Sequence, residues 1–353
     1  MRINIAAPLL GWWDVHGRKD LPWQKSPNAY RIWVSEIMLQ QTQVATVERY
    51  FDRFLAAFPD VSALAAAEQD AVLHLWSGLG YYSRARNLHK AARRVVEEFG
   101  GELPQTPAGL EALPGIGRST AGAILALSTG QRHAILDGNA KRVLARYFAV
   151  EGWSGSSANL KQLWELAGQC TPHERVANYT QAIMDLGASL CRRGRPDCSA
   201  CPLQQGCKAL AQDLVTEIPG PRPKQKNRPQ RSAILLMVRQ GDRVLLEKRP
   251  SKGIWGGLWS FPEFTDAAEA ESWCATRLGF LPDTRREWPV VDHSFSHFDF
   301  AMRPLEVNVG QTHGEVMEGE QWLWYNTRSP QQAGLAAPVA RLLARMQTQA
   351  SQA

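Results

Sequence analysis

Long apolar runs are missing from this chain. Nowhere do its 353 residues approach the roughly 18 consecutive apolar positions that a membrane-spanning helix needs. The apolar stretch from Ile5 to Trp13 is interrupted by Pro8 and Gly11 and followed at once by Asp14. It shows no small-residue cleavage pattern, so it reads as an amphipathic or buried part of the mature protein and not as a signal peptide. The expected compartment is the cytoplasm, by default. Cysteine is also scarce. Of the six present, four crowd between Cys191 and Cys207, while Cys170 and Cys274 stand apart and read as core thiols. A disulfide scaffold spreads its cysteines through a small domain, so this crowding in a long chain favours a metal centre. Nor is charge of either sign lacking: 40 Lys and Arg against 34 Asp and Glu leave a net +6, compatible with a polyanionic partner without proving one.

What is present divides into two regions. Residues 1–212 read as helical, with apolar residues at three- and four-residue spacing from Asp60 to Phe99 and again from Val44 to Phe54. Asn159 to Cys170 and Tyr179 to Leu190 read as further helices. Glu217 to Arg231 then carries four prolines among many basic residues and reads as an extended linker. Beyond it, Ser232–Val238 and Arg243–Lys248 flank Gly241-Asp242, a hairpin signal. Glu269–Leu278 looks helical, and Phe295–Leu305 and Gln321–Tyr325 look like strands. That order predicts a compact α+β domain.

Three motifs carry chemistry. The first is Cys191-x6-Cys198-x2-Cys201-x5-Cys207, with Arg192, Arg193 and Arg195 between the ligands. Four thiolates in one loop suit zinc or an iron–sulfur cluster, and spacing alone does not choose between them. The second is Leu113-Pro-Gly-Ile-Gly-Arg-Ser-Thr120, where two glycines permit a tight turn into a helix whose N-terminal amides suit a phosphate. A bare string of this kind also fits an ordinary interhelical turn. The third is Gly78-Leu-Gly-Tyr-Tyr-Ser-Arg84, a glycine-rich loop able to push a side chain into a base stack, although adjacent tyrosines often simply pack.

Together with Pro27–Thr42 and Leu136-Asp-Gly-Asn-Ala-Lys-Arg-Val143, these motifs resemble the bacterial A/G-specific adenine glycosylases of the endonuclease III, or helix-hairpin-helix, superfamily, over nearly the whole chain. The resemblance implies an all-α, two-lobed helix-hairpin-helix glycosylase region with an iron–sulfur loop, followed by an α+β Nudix-like domain. It implies a six-helix barrel at 29–133, a cluster lobe from 1–28 plus 134–212, a linker at 213–230, the Nudix-like domain at 231–346 and a tail at 347–353. A [4Fe–4S] cluster on the four cysteines is expected, with a monovalent cation at the helix-hairpin-helix. The implied reaction is excision of adenine opposite 8-oxoguanine or guanine in duplex DNA, by a nucleoid-associated bacterial monomer that has replication or repair proteins as further partners.

The likeness also assigns roles. Glu36 would protonate the departing adenine, Asp137 would stabilise positive charge at the sugar, directly or through a transient covalent adduct, and Asn139 would orient Asp137 or bind near the sugar. Taken alone, Glu36 fits a solvated helix residue and Asp137 fits a helix N-cap equally well. Lyase relatives place a nucleophilic lysine where this chain has Ser119, so an abasic product without strong strand cleavage is expected. A bifunctional oxidised-pyrimidine glycosylase and a non-catalytic DNA scaffold are the competing readings. Gln40, Gln41, Thr42, Leu79, Tyr81 and Tyr82 would surround the mispair, and Arg84, Gly115 and Gly117 would hold phosphates. In the second domain Phe295, Ser296 and His297 would read 8-oxoguanine, although the same residues fit a strand with one buried face. Arg286-Glu287 lacks the acidic pair of the Nudix hydrolase signature, so recognition without phosphohydrolysis is expected.

Overall fold

A computed structural model describes residues 5–223, 228–279, 284–295, 297–309 and 321–350. The chain separates into two compact units, Met1–Ala66 with Asn87–Lys224, and Ala67–Arg86 with Gln225–Ala353. A short segment of the helical region therefore packs as part of the second unit.

The first unit is helical. Helices α1 (Ala6–His16), α2 (Ala29–Leu39), α3 (Val44–Ala57) and α4 (Val61–Ala66) precede the excursion through α5 (Gln69–Trp76) and the first turn of α6 (Ser83–Phe99). The unit then continues with α7 (Pro107–Glu111), α8 (Arg118–Thr129), α9 (Gly138–Phe148), α10 (Ser157–Cys170), α11 (Val176–Ser189) and α12 (Lys208–Ala211). Local chemistry sets the boundaries. Asn28, Thr106, Asp137 and Ser156 each cap a helix by accepting a backbone N–H. Pro107 sits in the first turn of α7, where its missing N–H costs nothing. One core joins the N-terminal segment to the later helices, through Leu9 and Trp13 of α1 against Leu144, Leu163, Ile183 and Leu186.

That junction is reinforced by a buried carboxylate. Asp185 of α11 is 2% exposed and accepts from Trp13 Nε1 at 3.1 Å and from the Arg18 amide at 3.0 Å. It also accepts from Arg18 Nη2 at 2.6 Å and Gln181 Nε2 at 2.9 Å. A buried charge this well partnered fixes geometry, since losing one partner would strand the other.

The second unit is built on an eight-stranded sheet among the described residues. Its strands are β1 (Gln230–Gln240), β2 (Arg243–Lys248), β3 (Trp259–Ser260), β4 (Glu263–Phe264), β5 (Thr284–Glu287), β6 (Val291–Ser294), β7 (Asp299–Asn308) and β8 (Trp322–Asn326), with α13 (Ala267–Trp273) and α14 (Ala337–Ala350). The order along the sheet is β3-β2-β1-β7-β5, with β4 on β1, β6 on β7 and β8 on β2. β1 and β7 run parallel from Gln230↔Asp299 to Arg239↔Asn308. The hairpin expected at Gly241-Asp242 forms, with Gln240 opposite Arg243.

Segment 67–86 is tied to this unit by specific bonds. Asp70 accepts from Lys248 Nζ at 3.1 Å and Trp259 Nε1 at 3.2 Å, and the Tyr82 hydroxyl donates to the Leu335 carbonyl at 3.2 Å. One expectation changes here. Phe295 does not lie in a strand but opens a tight turn between β6 and β7, closed by the Phe295 amide donating to the Phe298 carbonyl at 2.9 Å. Alternating aromatic and polar residues suit a strand and a hairpin tip alike, and the tip won.

Candidate active site

A cleft of about 420 Å³ in the first unit brings together residues from four helices that are distant in sequence. Glu36 and Gln40 enter it from the C-terminal half of α2, Ser119 and Thr120 from the start of α8, Asp137 and Asn139 from the start of α9, and Gln181 from α11. Gln41 and Thr42 also line it.

Glu36 is partly buried on a helix whose neighbouring positions Ser35 and Ile37 face the core. Its carboxyl is pushed up to about 8, first by burial and second by the negative charge of Asp137. At neutral pH it therefore holds a proton. Asp137 caps α9, with Oδ1 accepting the Ala140 amide at 2.7 Å, and the helix N-terminus stabilises negative charge there. The capping role and a place in the cleft are thus compatible. The two carboxyls have opposite surroundings: one desolvated, one hydrogen-bonded at a helix end.

Neighbouring side chains hold this pair. Ser119 Oγ accepts the Leu136 amide at 2.9 Å, fastening the residue before Asp137 to the first turn of α8. Asn139 Oδ1 accepts from Arg142 Nη2 at 2.8 Å, and the same guanidinium reaches the Gly187 carbonyl at 2.6 Å and the Cys191 carbonyl at 2.7 Å. Gln40 Nε2 lies 3.5 Å from the Gly115 carbonyl and 3.4 Å from Thr120 Oγ1, both long for hydrogen bonds. Sequence reasoning missed Arg18, Trp23 and Gln181 in the cleft wall. Arg18 and Gln181 are held there by Asp185, and nothing local in the sequence signals that Arg18 has a partner 167 residues away.

The hairpin lies between α7 and α8. Gly115 has φ +83°, and a Cβ there would come within 2.9 Å of Asn87 Cβ. Gly117 is the N-cap of α8 and is exposed. Arg118 lies over the Trp164 ring at 4.0 Å. In the second unit, the 78–84 loop exposes Tyr81, which is 53% accessible at φ +48°. Leu79 and Tyr82 are buried. Arg84 is 7% exposed and donates to the Leu79 and Gly80 carbonyls at 3.1 and 3.0 Å, closing the loop on itself. Phe295 is partly buried, His297 is exposed, and Ser296 lies outside the described residues.

The cofactor expectation is corrected. Cys191, Cys198, Cys201 and Cys207 are free thiols lining one small cavity of about 30 Å³ with Arg146. Burial raises the Cys198 and Cys207 thiols and pushes Cys201 up to about 11. Two of the four engage the protein: Arg146 Nη1 donates to Cys191 Sγ at 3.3 Å, and Cys207 Sγ donates to the Arg146 carbonyl at 3.6 Å. Among the described residues no group of three or more His, Cys, Asp or Glu is placed to hold a metal ion. The described residues therefore present no site for the expected [4Fe–4S] cluster, and no such group lies at the Gly115–Gly117 hairpin, where the monovalent cation was expected. Among those residues, too, no helix is long and apolar enough to cross a membrane.

Comparison with known proteins places this geometry. Residues 34–169 match the HhH-GPD superfamily of base excision DNA repair proteins, and residues 233–345 match the NUDIX domain. An adenine DNA glycosylase of Buchnera aphidicola is 37% identical over 335 residues, covering 95% of each chain. The adenine DNA glycosylase of Rattus norvegicus is 36% identical, covering 91% of this chain and 74% of its own. Among solved structures, a thermostable thymine-DNA glycosylase superposes with a TM-score of 0.54 at 27% identity, over 58% of this chain and 94% of its own. Endonuclease III in a non-covalent DNA complex shares the fold at a TM-score of 0.50 and 20% identity, over 59% of this chain and 94% of its own.

Proposed function

The chain belongs to the adenine DNA glycosylases, and we propose that it removes adenine mispaired with 8-oxoguanine or guanine, leaving an abasic site in an unbroken strand. Adenine-specific glycosylase activity in base excision repair is the property of that family. The substrate pairing, the roles of individual residues and the single-step outcome are the present reading.

One observation carries it: two carboxyls line one cleft, and Glu36 is held protonated to about pH 8 beside Asp137. Breaking an N-glycosidic bond needs a proton for the departing base and negative charge near the sugar as positive charge develops at C1′. Glu36 delivers its proton to a ring nitrogen of adenine, N7 in this reading. The bonding electron pair leaves with the base. Asp137 stabilises the oxocarbenium-like sugar, and Asn139, fixed by Arg142, keeps that side of the cleft in register. Water then adds at C1′ and loses a proton to the Glu36 carboxylate, restoring the acid. Ser119 carries no amine to form a Schiff base, so no strand-cleaving elimination follows. The Gly115–Gly117 turn offers backbone amides to a phosphate, which sets register but not base choice.

The test is single-turnover base release from duplexes carrying adenine opposite 8-oxoguanine, each sample divided before alkali treatment. Adenine release with strand breaks only after alkali is the expected result. Breaks without alkali would reject the monofunctional reading, and equal release opposite thymine would reject the mispair.

A further inference from the structure

Two tight turns meet in the second unit, and one of them has no assigned role. Leu258 N donates to the Trp255 carbonyl at 2.9 Å, closing residues 255–258 into a turn. Trp255 itself has φ +53°, a left-handed conformation that glycine adopts freely and tryptophan does not. The surroundings hold it there. The Arg86 guanidinium donates to the Gly256 carbonyl, and a Cβ on Gly256 would sit 2.4 Å from the Ser251 carbonyl oxygen. A strained backbone that the neighbouring structure enforces points to a side chain whose position matters.

That side chain is an indole, 8% exposed, in the wall of a cavity of about 670 Å³. Its ring lies 5.5 Å from Phe295, 5.8 Å from His293 and 5.9 Å from Phe300, the last being fully buried in β7. Phe295 is in turn stacked on Phe298 at 4.7 Å and 18°. Trp255 thus connects the sheet core to the 295–298 turn by one continuous aromatic chain.

We propose that Trp255 is a positioning residue for lesion discrimination, holding Phe295 in place before DNA arrives. This rests on the reading that Phe295 and His297 take part in inspecting 8-oxoguanine. A Phe295 already braced loses little side-chain freedom on binding, so affinity for the lesion-bearing duplex is gained without new contacts. Removing the brace weakens the lesion-specific component and leaves the chemical step in the first unit alone.

The experiment measures half-saturating enzyme concentration and maximal single-turnover rate on A:8-oxoguanine and A:G duplexes with the full chain. Variants are W255G, W255F, F295A and W255G/F295A. W255G relieves the left-handed strain while deleting the ring, so it separates lost folding from lost bracing. The expected W255G result is a rise of about 5–10-fold in half-saturation on the 8-oxoguanine duplex, with maximal rate and the A:G duplex changed less than about twofold. W255F restores most of the loss, and W255G adds nothing once Phe295 is gone. Equal weakening on both duplexes, a lowered maximal rate, or full additivity with F295A overturns the proposal while leaving the turn's role intact. If F295A itself keeps the 8-oxoguanine preference, the underlying reading falls and the proposal falls with it.

Discussion

The Glu36 carboxyl, raised to about 8 from its ordinary 4.5, links catalysis to stability. The folded chain keeps a proton that the unfolded chain has lost between those two values. The stability associated with this site is therefore full below about 4.5 and falls as pH rises toward 8. Glu36→Gln should lower the maximal rate by about 10²–10⁴-fold while raising neutral-pH stability by roughly 1 kcal/mol, seen as a higher Tm that converges with the parent at acid pH. In the parent, the rate should fall as pH rises through about 8, because the acid form is lost there. A pH–rate profile flat to pH 9.5 would remove Glu36 as the acid. At Asp137 the cap and the chemistry can be separated. Asparagine is as good an N-cap as aspartate, so Asp137→Asn should melt within about 0.5 kcal/mol of the parent yet lose most activity. Asp137→Ala should lose about 1 kcal/mol besides. Residue identity was readable in advance at both positions. The desolvation of Glu36 was not, because it depends on which helices close over α2.

At the scale of elements, the hairpin between α7 and α8 depends on a conformation that only Gly115 adopts without strain. Gly115→Ala places a Cβ against Asn87 at φ +83°, so it should cost about 1–2 kcal/mol and weaken binding to any duplex regardless of sequence. Equal affinity for parent and variant in a salt titration would take the turn out of the DNA interface. The elements differ in how openly the sequence announced them. Helices with caps and 3.6-residue periodicity, and the β1–β2 hairpin, were legible because their signals are local. The 295–298 turn was not, since its alternation fits a strand. The resemblance put Arg84 among the phosphate ligands; its burial among its own loop carbonyls needs coordinates to see. The four-cysteine spacing suggested a metal centre, yet spacing does not fix where the folded loop puts each sulfur, and no metal-holding group forms among the described residues.

Over the whole molecule, long-range polar ties decide what the local patterns cannot. Asp185 joins α1 and the Arg18 segment to α11 and thereby sets Arg18 and Gln181 in the cleft wall. Asp185→Ala should cost about 3 kcal/mol or more, with a Tm drop of many degrees and reduced activity in whatever fraction folds. A variant that melts with the parent would show the network to be incidental. Segment 67–86 is the other long-range tie. It lies within the helical half of the sequence, yet it bonds to Lys248, Trp259 and Leu335. A chain ending at residue 224 should therefore be cut by protease within 67–86 far faster than the full chain.

That same segment gives the protein a waiting period at birth. At roughly 5–20 residues per second, the ribosome needs on the order of tens of seconds to travel from Arg86 to Leu335. Throughout that interval Leu73, whose side chain later meets Gly334, has its partner strand-and-loop framework still unmade. The nascent helical half thus emerges with Leu73 uncovered until translation is nearly done.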